Sequence, residues 1–324
     1  MLKRVRFILL KAGITLGLFY VLVTRIDLNA TVGLMAATDW RSVLGIVGVM
    51  VLQAIVAVFR WYRIMIRKGV HISVRRSARY FWLGLFFNQL LPSSIGGDAI
   101  RGYCLVRDGQ SVGRATLSVL LDRILGMAGL VVLIALAIPY AMNLISNPEM
   151  QWGMMSALLV VIAGFIAILF IDIFTRRFSS WRVMKGLTTL ASDARQLLGS
   201  RQGLGLVLFS VLIHILSIVV VGMLSSALSI KVDWIALTII VPITTLLITI
   251  PLSIAGWGVR EGVMVVGLGY VGIAPEEALA LSILYGLLTL VVALPGMLAW
   301  LTDPAVRSLK VNKEVVSLVG ESSR

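Results

Sequence analysis

Arg101 and Arg260 are the residues of this chain whose type and setting best suit chemistry. Each follows an apolar stretch interrupted by proline, serine and glycine. The first break reads Leu91-Pro92-Ser93-Ser94-Ile95-Gly96-Gly97-Asp98-Ala99-Ile100-Arg101. The second reads Ile250-Pro251-Leu252-Ser253-Ile254-Ala255-Gly256-Trp257-Gly258-Val259-Arg260-Glu261. Proline and paired glycines end a helix, so each arginine falls near the start of the half-helix that follows. Such a start offers unpaired N–H groups and a positive dipole end, and a guanidinium fork beside it suits an anionic group such as phosphate. The plainer role for Arg101 is to pair with Asp98 one helical turn earlier, and for Arg260 to pair with an acid whose position the sequence does not reveal.

The acids Asp98, Asp122 and Glu261 fall at or near the same depth, where an unpaired charge costs at least a few kcal/mol. Two roles stay open for them: taking up protons to couple a gradient, or pairing with nearby bases. Arg123 points about 100° away from Asp122 on a helix, so the two neighbours need not bridge each other. Asn88, four residues before Pro92, would satisfy broken backbone or meet a headgroup. Gly96 and Gly97 in the first break and Gly256 in the second would let a headgroup approach backbone N–H groups, and Pro92, Ser94 and Ser253 beside them are further candidate binding residues. Trp257 would wall a lipid cavity or sit in an interfacial aromatic belt. His214 would hydrogen-bond between helices. Cys104 is the single cysteine and the histidines number 2, too few for a metal cluster built by the protein. No nucleophile–base spacing and no phosphate-binding glycine loop with its lysine occurs, so neither an enzyme nor a nucleotide-driven pump is expected, and no cofactor or metal is implied.

These residues need positioning elements, and composition says which kind. Of 324 residues, 59% are hydrophobic and 14% charged, against about 25% charged in soluble domains. That excludes soluble folds and points to a polytopic membrane protein. The net charge of +14 gathers at the ends of apolar runs, as in cytoplasmic membrane flanks, which argues against a nucleic-acid partner. Measured against the roughly 20 residues a spanning helix needs, six runs qualify: 7–24, 41–59, 116–140, 153–174, 203–228 and 277–301. Lys11 in the first run would snorkel to the interface. Basic clusters at 60–79 (Arg60, Arg63, Arg67, Lys68, Arg75, Arg76 and Arg79) and at 176–201 would face the cytoplasm, which places both termini there. The segments 80–101 and 234–273 that hold the breaks read as re-entrant hairpins, the first from the cytoplasmic side and the second from the outside.

Aligning Pro92 with Pro251 gives an offset of 159 residues, which also pairs Ser94 with Ser253, Ile95 with Ile254, Gly97 with Gly256 and Arg101 with Arg260. The same offset carries 41–59 and 116–140 onto or beside later spans. The expected fold is therefore an all-α integral membrane protein of six spans and two re-entrant hairpins in two inverted-topology repeats. Residues 1–150 form the first repeat, 151–302 the second, and 303–324 a cytoplasmic tail. In transporters such an arrangement places the substrate site where the two broken elements meet.

At these motifs the chain resembles the membrane, flippase-like region of the lysylphosphatidylglycerol synthetase family. The likeness rests on Asn88 through Arg101, on Asp122-Arg123 with Gly126, and on Gly256-Trp257-Gly258-Val259-Arg260-Glu261-Gly262, and it extends over about residues 5–302. It implies movement of a phosphate-bearing lipid between leaflets of a bacterial or archaeal cytoplasmic membrane. The aminoacyl-transferring domain of fused members is not expected here. The expected partner is a membrane phospholipid, and a homo-oligomer is compatible with the sequence. Two rival readings are a membrane enzyme of lipid-linked sugar or aminoacyl-lipid synthesis, with Asp98 or Glu261 as base, and a non-catalytic envelope scaffold.

Overall fold

A computed structural model of the chain describes residues 2–91, 96–144, 148–175, 182–250 and 253–303. Those residues form thirteen helices and no strand. In chain order they are α1 (Leu2–Arg25), α2 (Leu28–Ala36), α3 (Trp40–Arg67), α4 (Val74–Leu90), α5 (Gly96–Arg107), α6 (Val112–Leu144), α7 (Pro148–Leu169), α8 (Ile171–Thr175), α9 (Arg182–Leu198), α10 (Arg201–Ala227), α11 (Trp234–Thr249), α12 (Val259–Gly269) and α13 (Pro275–Leu301). Five stretches are long and apolar enough to cross a membrane: Trp40–Arg67, Val112–Tyr140, Gln151–Leu169, Arg201–Ala227 and Pro275–Leu301. They coincide with five of the six expected spans. The sixth, 7–24, lies in α1, whose apolar stretch Gly13–Leu22 is shorter. The chain is an all-α membrane protein.

The helices begin where short polar side chains satisfy their first N–H groups. Asp39 accepts from Ser42 N at the start of α3, Ser73 from Arg76 N at α4, Ser200 from Gly203 N at α10 and Asp233 from Ile235 N at α11. Under the 159-residue offset α3 falls on α10, α4 on α11, α5 on α12 and α6 on α13, to within four residues at every boundary. Hydropathy and capping thus recur together.

Both breaks turn the chain back on itself. The pair α4 and α5 is antiparallel, so Asp108, just after α5, accepts from Tyr80 Oη at 2.7 Å and from Arg76 at 3.4 Å in the first turns of α4. Two glycines permit their close approach: a Cβ at Gly97 would stand 1.8 Å from the Gly84 carbonyl oxygen. In the second pair the Thr244 hydroxyl lies 3.6 Å from the Met264 sulfur, and Gly267 packs on Ile240. The largest apolar core joins α3, α10, α11, α12 and α13 through Ile46, Leu224, Leu237, Leu268 and Leu281, all fully enclosed.

One end of the bundle is tied by ion pairs. Lys68 meets Asp193 at 3.0 Å, Arg195 clasps Asp172, and Arg107 meets Asp303 at 3.0 Å. Hydrogen bonds donated to Asp303 raise the Arg107 pKa above its ordinary value, so that cation stays charged at every accessible pH. Two sequence expectations are corrected here. Lys11 does not reach out to an interface but is buried, 2% exposed. Arg60 does not belong to the basic rim: it lies at the inner face of α3 and is 8% exposed, because its helical phase points it at α6 while Arg63 and Arg67 point elsewhere.

The helix approach at Gly97 makes a stability prediction. Gly97→Ala should destabilise the protein by about 1–3 kcal/mol through overpacking against the Gly84 carbonyl. Gly102→Ala in the same helix, whose added Cβ would meet its nearest neighbour, Val119, at 4.0 Å, should be neutral or slightly stabilising. Thermal unfolding of both variants in one detergent checks the difference, and equal midpoints would refute the packing role.

Candidate functional site

A cavity of about 220 Å³ lies among α3, α4, α5, α6, α10 and α11. Its charged wall is a chain of five side chains of alternating sign. Arg60 Nε donates to Asp122 Oδ1 at 2.9 Å, and Arg101 Nη1 donates to Asp122 Oδ2 at 3.0 Å. The other fork nitrogen of Arg101 pairs with Asp98 Oδ1 at 2.9 Å, and Arg123 Nε pairs with Asp98 Oδ2. Each aspartate is thereby shared by two guanidiniums. Three arginines against two aspartates leave the wall one positive charge in excess, and the terminal member Arg123, with 30% of its side chain exposed, is the most open of the five.

Each member is fixed by its own element. Arg60 also donates from Nη1 to Ser210 Oγ of α10 at 3.0 Å, and its guanidinium lies against Gly126. Asp122 and Arg123 are adjacent on α6 and diverge, so one faces Arg60 and Arg101 while the other faces Asp98. Asp98 stands in the first turn of α5, where the helix dipole favours a carboxylate. The Arg101 guanidinium lies 4.8 Å from the Trp61 ring centroid and 5.6 Å from that of Phe81, an aromatic cover that suits a buried cation. Its Nε has no hydrogen-bond partner among the described residues. Asn88 bridges the break by accepting from Gly97 N at 2.9 Å with Oδ1. The far wall is milder: His214 Nε2 lies 3.0 Å from the Gly126 carbonyl oxygen, and Thr245 and Thr249 of α11 present hydroxyls bonded back to their own helix.

Of the residues singled out from sequence, Asn88, Asp98, Arg101, Asp122 and Arg123 line this one cavity. Gly96 and Gly97 open α5, but Gly97 is occupied by the Gly84 carbonyl, so its missing side chain serves helix packing rather than headgroup approach. Pro92 and Ser94 lie outside the described residues. The described residues of the second break do not line the cavity. Arg260 is instead closed in: Nε and Nη2 donate to Glu261 Oε1 at 3.0 and 2.5 Å, Nε also reaches Ser282 Oγ at 3.3 Å, and the Trp257 ring lies 4.5 Å away. Gly286 leaves the space it fills, since a Cβ there would stand 2.1 Å from Arg260 Nη2. Glu261, fully enclosed, takes the Gly258 N–H at 2.6 Å with its second oxygen. Ser253 is buried, and Gly256 takes a left-handed φ of +81° in the turn before α12. The hydroxyl of Thr15 in α1 accepts from Ile254 N at 3.1 Å, so α1 contacts this break.

The two arginines given matching positions by sequence therefore have different surroundings, one in a cavity wall and one in a closed ion pair. The acids are likewise partnered: Asp98, Asp122 and Glu261 each hold an arginine, which removes the observation that made a proton-carrying role attractive. Sequence reading missed Arg60, Thr245 and Thr249 as neighbours of this site, while His214 makes the interhelical hydrogen bond expected of it, to Gly126 of α6. For Arg60 the one available signal is its helical phase, which it shares with the buried Ala57 and Ile64.

The lysylphosphatidylglycerol synthase TM region matches residues 8–296 of the chain. No curated protein matches it. A bundle of apolar helices, two glycine-rich breaks and a buried arginine–aspartate chain thus accompany a family match over most of the sequence, and the protein belongs to the family of the lysylphosphatidylglycerol synthase transmembrane region, membrane proteins of lipid metabolism or translocation.

Proposed function

We propose that the protein moves a phosphate-bearing lipid between the leaflets of the cytoplasmic membrane without changing it covalently. The observation that carries this reading is the cavity whose wall is built from both halves of the chain and bears one surplus positive charge. Its volume is below the roughly 300–1,000 Å³ of a site that encloses a whole ligand. That suits a polar headgroup held inside while the acyl chains stay in the bilayer. Arg123, the most exposed of the five, is the cation that a phosphate entering the cavity would meet first. The recurrence of helix boundaries at one offset supports two inverted repeats, with α4–α5 re-entering from the cytoplasmic side and α11–α12 from the outside. In this reading Arg260 and Glu261 hold the second break together, and Arg101, through its two aspartates, holds the first.

Reconstitution in liposomes with a labelled phospholipid tests the function. The wild-type protein should transfer the lipid unmodified. Arg123→Gln should lower transfer about ten- to a hundredfold, the cost of one charged hydrogen bond of about 1.5–3 kcal/mol, at nearly unchanged thermal stability because Asp98 keeps Arg101. Arg123→Lys should retain part of the activity as a point charge. Asp122→Ala should behave differently, losing about 3–5 kcal/mol of stability because two buried guanidiniums lose a carboxylate. A covalently altered lipid would instead establish the enzyme reading, and wild-type transfer rates in Arg123→Gln would remove the site.

Orientation is tested separately with an impermeant thiol reagent, since the native Cys104 is buried. Cysteines at the exposed positions Asn29 and Lys231 should react from outside, and cysteines at Arg114 and Gln202 only after permeabilisation. Labelling of Arg114→Cys from outside would mean that α4 and α5 together cross the membrane, and the inverted repeat would fail.

A further inference from the structure

A second polar recess lies away from the central cavity, at the end of the bundle where α4 begins and α13 finishes. It is a groove of about 660 Å³ with Arg75, Arg76, Arg79 and Trp82 on one wall and Pro295 and Ala299 on the other. The carboxylates nearby are already engaged. Asp303 accepts from Arg107 at 3.0 and 3.3 Å and pairs with Arg79 at 3.6 Å, while Asp108 accepts from Tyr80 at 2.7 Å and from Arg76 at 3.4 Å. Arg75 is exposed and has no ion pair among the described residues. Among the described residues Arg75, Arg76, Arg79 and Arg107 thus face two carboxylates, Asp108 and Asp303, a local surplus of two positive charges.

The rest of the groove is shaped for an amphiphile. Trp82 is fixed in its wall by donating from Nε1 to the Val292 carbonyl at 3.1 Å. Beyond Pro295, α13 turns an apolar face outward, with Leu294 45% and Leu298 60% exposed. That face belongs to a helix long and apolar enough to span a membrane. A cationic head region thus continues directly into a surface made for hydrocarbon. A soluble anion would use only the first, and an apolar partner only the second.

We propose that this groove binds an anionic phospholipid carrying two phosphate charges, its headgroup among Arg75, Arg76 and Arg79 and its acyl chains along the α13 face of Leu294 and Leu298. Arginines at a membrane surface attract anionic headgroups at about 1 kcal/mol each, and arginine meets a phosphate oxygen pair with two parallel donors. The site is separate from the central cavity and does not depend on the transport reading. Its role would be to anchor and stabilise the α4–α13 contact.

The full-length protein in detergent is titrated with diphosphatidylglycerol, phosphatidylglycerol, phosphatidylcholine and inorganic pyrophosphate, reading bound lipid by native mass spectrometry and unfolding by thermal shift. Diphosphatidylglycerol should bind most tightly and raise the unfolding midpoint, with phosphatidylcholine inert. Arg75→Gln combined with Arg76→Gln should weaken its binding roughly thirtyfold, with the lipid-free midpoint nearly unchanged because both side chains are exposed and the Arg76–Asp108 pair is a surface one. Arg41→Gln combined with Lys231→Gln removes the same charge at the other end of the bundle and should leave binding intact. Equal losses in the two double variants would reduce the effect to net charge and overturn the site. Pyrophosphate as effective as the lipid would assign a free diphosphate instead. Lipid binding that appears only when residues 304–324 are removed would make that segment the occupant.

Discussion

Asp122 is the carboxylate on which the interior depends. It takes one guanidinium from α3 and one from α5, each with its own oxygen, at 2.9 and 3.0 Å. In a bundle of apolar helices those cations have no solvent to retreat to, and an unpaired charge at this depth costs several kcal/mol. The pairing therefore fixes register as well as charge: α3, α5 and α6 can approach only in the arrangement that brings Arg60, Arg101 and Asp122 together, and the Arg60 bond to Ser210 extends the constraint to α10. Because signs alternate along Arg60, Asp122, Arg101, Asp98 and Arg123, every interior member is neutralised on both sides. The ends are Arg60, which is buried, and Arg123, the more exposed of the two. A functional asset is in this sense a residue of the structural solution.

The second break shows that the same sequence pattern admits another solution. There the acid follows the arginine immediately, and Glu261 spends one oxygen on Arg260 and the other on the Gly258 N–H. Charge and backbone are satisfied within four residues, with Ser282, Trp257 and the space at Gly286 completing the enclosure. In the first break the acid precedes the arginine by three, and backbone satisfaction falls to Asn88. Asp98 is then free to hold Arg123 as well. The second half also lacks the other members of the chain: the same offset carries Arg60, Asp122 and Arg123 onto Val219, Leu281 and Ser282, so a single acid closes on a single arginine there.

Much of this was legible from residue types. Apolar runs locate the spanning helices because length and hydropathy are local properties, and proline with paired glycines locates the breaks for the same reason. Asn88, Asp98, Arg101, Asp122 and Arg123 stand out because polar groups are costly in such runs. Arg60 was hidden by its neighbours: Arg63, Arg67 and Lys68 make the end of α3 look like an ordinary basic flank, and only helical phase separates the buried arginine from the exposed ones. Thr245 and Thr249 reach the cavity through packing of α11 against α6, a long-range relation with no local signature, whereas His214 stands out as a polar group within a span. Glycine misled in a different way, since a glycine that admits a ligand and a glycine that admits a carbonyl look identical in sequence.

That last ambiguity connects backbone packing to the site. Gly97 and Gly84 let α5 lie against α4 closely enough that the Gly84 carbonyl occupies the place of a side chain. Arg101 is one helical turn beyond Gly97, on the same face of α5. Its stem passes Gly84, where an added Cβ would meet Arg101 Cδ at 3.6 Å. The guanidinium is thereby carried past α4 and under Trp61 and Phe81, where both aspartates are within reach. Were α5 held farther from α4 by a single methyl group, Arg101 would be displaced from Asp122 by a comparable distance, and hydrogen bonds of about 3 Å do not survive such a shift. The glycines thus act on the charged site through the position of a helix, without contact with any ligand.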